Sequence, residues 1–214
     1  FHKTIIKLDI KNFHIPIIFI SIGIALVSNY GSFILVIEPL TFLKFDSSIS
    51  RGLIQFLSFD QTYYIYNEWW RLITPMLIHF SFAHLAFNCL WIYVLGSKIE
   101  QYDGHFIFVT LLLISSAGAN FAQFSFSGPS LFGGLSGVIY GMLGYCLITE
   151  FESKQERYGL PPAIYMFMIV WLILGFLGIL NLFGFGNVAN YAHLGGLISG
   201  IIFGMILILL NKIL

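Results

Sequence analysis

The chain has 214 residues, of which 58% are hydrophobic and only 9% are charged. This composition is too apolar for a water-exposed surface and excludes a soluble globular protein, so we predict an integral membrane protein whose main solvent is lipid. Ten lysine and arginine residues balance ten aspartate and glutamate residues, which argues against a basic surface for nucleic acid and against an acidic interaction tail.

Apolar segments that could form membrane helices recur along the chain, since a helix needs about 20 apolar residues to cross the hydrocarbon core. Six segments qualify: Phe13–Ile37, Phe82–Ser97, Phe106–Phe126, Ser136–Thr149, Ala163–Leu182 and Val188–Leu210. The first is longer than the core of a signal peptide and is predicted to be a retained span. The second and fourth are too short to cross alone, so we place them inside the bundle, surrounded by longer helices.

The segment between the first two spans, from about Glu38 to Ser81, is not an ordinary loop. It combines short apolar pieces with aromatic residues typical of the headgroup region: Tyr63, Tyr64, Tyr66, Trp69 and Trp70. We predict a large loop half-buried in the membrane interface. No repeat or separate soluble segment is visible, so the expected fold is all-α, a single membrane domain over residues 1–214 with six transmembrane helices.

Positive charges are distributed unevenly between the two sides of this bundle. If the amino terminus is cytosolic, the inner side holds Lys3, Lys7, Lys11, Lys98, Lys154, Arg157 and Lys212. The outer side then holds Lys44, Arg51 and Arg71. Because lysine and arginine are enriched on the cytosolic side of membranes, we predict that both termini are cytoplasmic.

Polar side chains collect near the outer ends of the predicted spans, namely His79, His84, Asn88, Ser136 and His193. Polar groups at membrane depth are costly unless they pair, line water or carry out chemistry, so a shared site is the simplest interpretation. His79 is the exception, because an interfacial residue without chemistry explains it better than a catalytic role does.

Ser136 is the candidate nucleophile. It follows Gly133 and Gly134 and begins a helix, whose free N–H groups would stabilise an oxyanion that forms beside it. A serine hydroxyl needs a base within hydrogen-bond reach, and His193 is the candidate. His84 and Asn88 share one helix face and could donate further hydrogen bonds to the oxyanion.

Two glycine stripes would bring the serine and the histidine together. Their members are Gly133, Gly137 and Gly141 on the fourth span and Gly196, Gly200 and Gly204 on the sixth. Small residues let helices approach closely, and Tyr140, one turn after Ser136, would then lie against the imidazole. No carboxylate occurs in any span at this depth, so we predict a Ser-His dyad rather than a triad.

These residues resemble the rhomboid intramembrane proteases, especially the six-span bacterial form. The likeness covers most of the chain and involves motifs that agree in order and spacing. They are Trp70-Arg71 with Thr74, His79 to His84 with Asn88, Glu100, Gly134-Leu-Ser136-Gly137 with Tyr140, and Ala192-His193-Leu-Gly-Gly196 with Gly200.

The resemblance implies a role for each matched position. Ser136 is then the nucleophile, His193 the general base, and His84, Asn88 and the Ser136 amide the oxyanion donors. Tyr140, Gly134, Gly137, Gly196 and Gly200 support the site, while Trp70, Arg71 and Glu100 are structural. The implied substrates are single-pass membrane proteins cut near the outer face of a bacterial inner membrane, with the fifth span and the loop Asn181 to Asn187 as gate and cap.

Other functions remain open on the sequence. A non-proteolytic rhomboid-like binder of membrane helices is the main alternative, and a transporter or channel ranks last because inverted repeats and broken helices are absent. No cofactor or metal is expected, since the chain has no His-Glu-x-x-His pattern and no pair of aspartates within spans. Cys89 and Cys146 lie too far apart in predicted depth for a disulfide.

Overall fold

The computed structural model describes residues 12–46, 54–182 and 188–210. The long helices of these ranges are α1 His14–Val27, α2 Phe82–Asp103, α3 His105–Ser127, α4 Ser136–Ser153, α5 Pro162–Phe176 and α6 Asn190–Leu209. The predicted all-α class is confirmed, apart from an antiparallel pair of two-residue strands, β1 Phe45–Asp46 and β2 Gln55–Phe56. The predicted charges Lys3, Lys7, Lys11, Arg51 and Lys212 and most of the predicted cap loop lie outside the described residues.

Helix α1 ends ten residues before the predicted end of the first span, so that boundary was wrong. Asn29 and Tyr30 adopt positive φ angles of 48° and 52°, and Gly31 one of 77°. These left-handed residues turn the chain before the short helix Ile34–Ile37 begins. The turn itself is polar, Ser28-Asn29-Tyr30-Gly31-Ser32, but the apolar residues on both sides kept it within the predicted span.

Helix α2 shows the opposite error, because it continues beyond the predicted end at Ser97 to Asp103. A π-helical turn, Ile92–Gly96, joins its two α-helical parts. The expectation that this helix is too short to cross a bilayer was therefore wrong. Its last turns carry charged residues that lower the local hydropathy, but one of them, Glu100, is only 6% exposed. Partners from other helices satisfy that carboxylate, as described below.

Helix α4 lies at the centre of the bundle, between α3 and α6. Its residues from Gly137 to Cys146 are all buried. The predicted glycine stripes meet at two positions: a methyl group added at Gly196 or at Gly200 would collide with the α4 backbone at Gly137 or Gly141. The third pair differs from the prediction, because Gly133 precedes α4 and lies against Pro75 and Ile78, and Gly204 meets the side chain of Ile148. Glycine at the two contacts allows the backbones of α4 and α6 to touch, which fixes the separation of Ser136 and His193.

The large first loop is organised by a small core and by short helical turns that lead to α2. An aromatic and aliphatic cluster, Phe42, Leu43, Tyr63 and Phe132, forms its core. Short 3₁₀ helices at Trp69–Leu72 and Thr74–Leu77 lead from this cluster to α2. Outside the core, large apolar side chains remain exposed, among them Tyr64, Ile65 and Trp70, as expected for a segment that contacts the membrane interface.

Three described helices are long and apolar enough to cross a membrane, namely α2, α3 and α6. Helices α1 and α5 are apolar but shorter, and α4 is shielded by its neighbours. Helix α5 ends at Phe176, and a turn at Gly178, with φ of 72°, separates it from the short helix Ile179–Leu182. The fifth predicted span is therefore broken near its outer end, and six spans remain a prediction.

Candidate active site

The backbone that precedes Ser136 is held by the loop before α2. Gly134 has a φ of 114°, which favours glycine, and its N–H donates to the carbonyl oxygen of Pro75 at 3.0 Å. A side chain at Gly133 would collide with Pro75 and Ile78. The two glycines therefore let this segment lie directly on the loop and enter α4 at Ser136.

Ser136 and His193 meet across the contact between α4 and α6. The Oγ of Ser136 lies 2.9 Å from Nε2 of His193. His193 is 5% exposed and sits in the first turn of α6, whereas Ser136 is half-buried. The distance is that of a normal hydrogen bond, so a proton can pass between the two side chains.

The second ring nitrogen of His193 has no protein partner. Its Nδ1 is buried and makes no hydrogen bond within the described residues. The ring instead stacks on Tyr140, with centroids 4.6 Å apart and an angle of 25° between the planes. Packing against an aromatic ring therefore orients the imidazole where a Ser-His-Asp triad would use a carboxylate.

Two side chains of α2 face the segment that leads to Ser136. A methyl group at Gly134 would lie 2.7 Å from Nε2 of His84 and 3.3 Å from Nδ2 of Asn88. Asn88 is 2% exposed, and its Nδ2 is buried without a partner in the described part of the chain. No side chain caps the start of α4. These groups form a set of hydrogen-bond donors beside the serine.

His79 lies in this site and not at a free interface, so the interfacial interpretation was wrong. It is fully buried, and its ring centroid is 5.1 Å from that of His84. Nδ1 lies 3.2 Å from the carbonyl oxygen of Leu77, and Nε2 lies 3.5 Å from the N–H of Leu135. A neutral ring protonated at Nδ1 satisfies both contacts and supports the residue before Ser136.

Helix α3 contributes polar residues that the sequence analysis did not single out. Ser116 donates to the carbonyl oxygen of Ile73 at 2.9 Å, and Asn120 donates to that of Leu72 at 2.8 Å. Gln123 accepts a hydrogen bond from the N–H of Ala192, next to His193, at 3.1 Å. Their positions on one helix face, at spacings of three and four, were a signal that could have identified them.

A small cavity lies beside Ser136, between α3, α4 and the start of α6. Ser116 and Asn120 line its polar side, and Ala119 and Ala192 line its apolar side. Its volume is about 10 Å³, which is close to the space that the centre of one water molecule needs. The site therefore has room for a small group next to the hydroxyl.

The remaining predicted site residues lie away from the dyad. The Trp70 ring is half exposed, and its Nε1 donates to the carbonyl oxygen of Pro39 at 3.0 Å. Arg71 is 1% exposed and binds both Glu38 and Glu68. Glu100 lies near the opposite end of α2 from His84. Within the described ranges, no group of three or more His, Cys, Asp or Glu side chains is arranged to hold a metal ion.

Comparison with known families agrees with this arrangement. A family model for the Rhomboid domain matches residues 66–210, from the second half of the large loop to the end of α6. The chain belongs to the rhomboid family. As a rhomboid domain it is a polytopic helical membrane protein, which confirms the fold class predicted from the sequence.

Curated relatives cover the same region. Rhomboid protease GlpG of Serratia proteamaculans (strain 568) is 35% identical over 150 residues, which are 70% of this chain and 52% of that protein. Rhomboid protease GlpG of Yersinia pestis (strain Pestoides F) and of Yersinia pseudotuberculosis serotype O:3 (strain YPIII) are 36% identical over 137 residues. Those residues are 64% of this chain and 48% of each relative, so the chain spans about half the length of the curated relatives it matches.

Proposed function

We propose that this protein is an intramembrane serine endopeptidase that cuts membrane-spanning segments through a Ser136–His193 dyad and an acyl-enzyme. The observation that carries the proposal is the 2.9 Å separation between Ser136 Oγ and His193 Nε2. The names of the related proteases and the rhomboid family match support the same activity.

The first half of the reaction forms the ester. Nε2 of His193 accepts the proton of Ser136 while Oγ bonds to the scissile carbonyl carbon. The resulting oxyanion receives hydrogen bonds from the amide of Ser136 and from the side chains of His84 and Asn88. The C–N bond then breaks, and His193 passes its proton to the leaving amine.

Water completes the second half. His193 removes a proton from a water molecule as its oxygen bonds to the acyl carbon, and the same donors stabilise the second oxyanion. Oγ then leaves the carbon and recovers the proton from His193, which restores the dyad. Stacking on Tyr140 keeps Nε2 directed at Ser136 through both halves.

The remaining parts of the proposal concern the substrate and the membrane. The substrates are single-pass membrane proteins, cut near the extracytoplasmic face of a bacterial inner membrane, with both termini of this chain in the cytoplasm. The small cavity between Ala119 and Ala192 suits a small side chain beside the cut. Helix α5 and the loop after it act as gate and cap, since α5 lies at the edge of the bundle and its exposed face is apolar.

Supporting roles follow from the contacts described above. Gly134, Gly137, Gly196 and Gly200 allow the close backbone contacts that align the dyad. Trp70, Arg71 and Glu100 stabilise the large loop and the inner end of α2. None of these side chains takes part in proton transfer.

The test combines labelling with cleavage. Purified protein in detergent is treated with a fluorophosphonate probe and, separately, with a membrane-helix substrate. We expect Ser136→Ala to abolish both reactions. Ser97→Ala is the matched control, because Ser97 donates to the carbonyl of Val94 in its own helix and lies away from the dyad, and it should react like the wild type. Cleavage by Ser136→Ala would refute the dyad, and substrate binding without labelling of the wild type would favour a non-proteolytic binder.

A further inference from the structure

Tyr140 touches two parts of the protein that belong to different helices. Its ring stacks on the imidazole of His193 at the outer end of α6. Its hydroxyl donates to the carbonyl oxygen of Met168, in the middle of α5, at 2.8 Å. Tyr140 is 1% exposed, so water cannot replace Met168 as the acceptor while the bundle is closed.

Helix α5 has only one packed face. Tyr165, Met168 and Leu172 are at most 9% exposed and lie against the bundle. The other face is apolar and open, and it consists of Met166, Phe167, Ile169, Val170 and Ile173. A second hydrogen bond to α4 lies one turn towards the inner end, where the Tyr165 hydroxyl donates to Glu150 at 2.8 Å. Two tyrosine hydroxyls thus join α5 to α4, one beside the dyad and one remote from it.

We propose that Tyr140 is a positioning residue that couples the position of α5 to the orientation of His193. This inference rests on the proposed protease function. When α5 lies against α4, Met168 holds the hydroxyl and the ring is fixed over the imidazole. When α5 moves away, the buried hydroxyl loses its acceptor, and the ring shifts to find another partner. Proton transfer between Ser136 and His193 is then fast only while α5 is packed against α4.

The coupling has a consequence for the order of events. A membrane helix that enters past α5 would meet a dyad that is not yet aligned. Acylation would follow after α5 has returned against α4 and restored the Tyr140–Met168 bond. The same contact therefore limits reaction with segments that displace α5 without settling in the site.

The experiment compares two Tyr→Phe variants that remove equivalent hydroxyls from the contact between α4 and α5. Tyr140→Phe keeps the ring on His193 but removes the bond to Met168, whereas Tyr165→Phe removes the bond to Glu150 and leaves His193 untouched. We expect Tyr140→Phe to lower kcat for a membrane-helix substrate about fivefold, the factor that corresponds to one ordinary hydrogen bond, with KM unchanged. Fluorophosphonate labelling should slow by the same factor.

Two further readouts separate positioning from a general loss of structure. The pH midpoint of kcat should stay at the wild-type value, because a phenol bonded to Met168 adds no charge beside the imidazole. Tyr165→Phe should label within about twofold of the wild type. If Tyr140→Phe does not fold, para-fluorophenylalanine at position 140 fills the same space without donating, and the same outcomes apply.

Several results would overturn the inference. Wild-type rates in Tyr140→Phe would show that the hydroxyl does not position His193. Equal slowing by both variants would assign the effect to the seating of α5 in general and not to Tyr140. A wild-type protein that neither labels nor cleaves would instead refute the proposed function, so the two failures are distinguishable.

Discussion

The buried polar groups around Ser136 and those around Arg71 differ in how many of them have hydrogen-bond partners. Near Ser136, Nδ2 of Asn88 and Nδ1 of His193 have no hydrogen-bond partner among the described residues. Near Arg71, Nε donates to Glu68 at 2.5 Å, Nη2 donates to Glu38 at 2.8 Å, and Nη1 donates to the carbonyl of Thr41 at 3.0 Å. The region around Ser136 therefore leaves buried hydrogen-bonding atoms unused, whereas the hydrogen-bonding atoms around Arg71 are paired.

A second satisfied cluster lies at the end of α2 remote from His84. The carboxylate of Glu100 accepts hydrogen bonds from the backbone N–H of Phe13 at 2.7 Å and from the ring of His105 at 3.0 Å. The ring of His14 also contacts it. Glu100 therefore connects the start of α1 to the junction of α2 and α3, and its carboxylate is hydrogen-bonded although it is buried.

The difference separates groups that hold the fold from groups that the proposed reaction would use. Buried polar atoms are almost always paired in folded proteins, and each exception calls for an explanation. The Arg71 and Glu100 clusters follow this rule, and both connect segments that are distant in sequence. The unpaired Nδ2 of Asn88 lies beside the candidate nucleophile, where a substrate oxygen would supply the missing acceptor.

The largest expected effect in this comparison is on stability. Arg71→Met would leave Glu38 without its cation and Glu68 with Lys44 alone, and we expect the free energy of unfolding in detergent to fall by about 3 kcal/mol. The fluorophosphonate labelling rate of the folded fraction should stay within about twofold of the wild type. Lys154→Met is the control: it also replaces a cation by methionine, but Lys154 is exposed at the end of α4, so its loss should cost less than about 1 kcal/mol. Equal losses in the two variants would contradict the distinction.

An effect of comparable size, on catalysis and not on stability, is expected when the Asn88 side chain beside Ser136 is removed. Under the proposed mechanism, Asn88→Ala should lower kcat about 100-fold, as the loss of one oxyanion donor does in serine proteases, with little change in the free energy of unfolding. Cleavage kinetics and denaturation on the same preparations measure the two quantities. Gln101→Ala, on an exposed position of α2, removes a similar amide and should change neither. A fall in stability without a fall in kcat would assign Asn88 to the fold.

The smallest expected effect concerns pH and the Arg71 cluster. Burial raises the pKa of the Glu68 carboxyl, but hydrogen bonds from Lys44 and Arg71 outweigh it and hold the pKa below its ordinary value. A carboxyl with a lowered pKa in the folded state contributes stability above its unfolded pKa, and that contribution is lost as the pH falls through the folded pKa. Denaturation of the wild type from pH 6 down to about pH 3 should therefore show a loss of stability, and Glu68→Gln should flatten it. If the stability of Glu68→Gln falls with pH as steeply as that of the wild type, other carboxyls cause the loss.

Local patterns were sufficient to predict much of the candidate site. The start of α4 at Ser136 follows from the glycines before it, and the approach of His193 follows from two glycine stripes with matching periods. Both are properties of short segments, because helix periodicity and the size of a side chain are set by the local sequence. The family motifs were also local, and the rhomboid match confirms the family that they indicated.

Other features depended on partners distant along the chain. The carboxylate of Glu100 lies within helix α2 because His14 and Phe13, more than 80 residues earlier, supply its hydrogen bonds. His79 is buried because Leu135, 56 residues later, offers it a backbone partner in addition to the nearby Leu77, although its own neighbours in sequence indicate an interface. A hydropathy scale gives each residue type a fixed free energy of burial. The actual free energy of burying a polar group depends on the hydrogen-bond partners that surround it in the folded structure. The apolar periodicity of the chain thus specifies which segments enter the membrane, and tertiary contacts decide where each helix ends and which polar side chains remain free for chemistry.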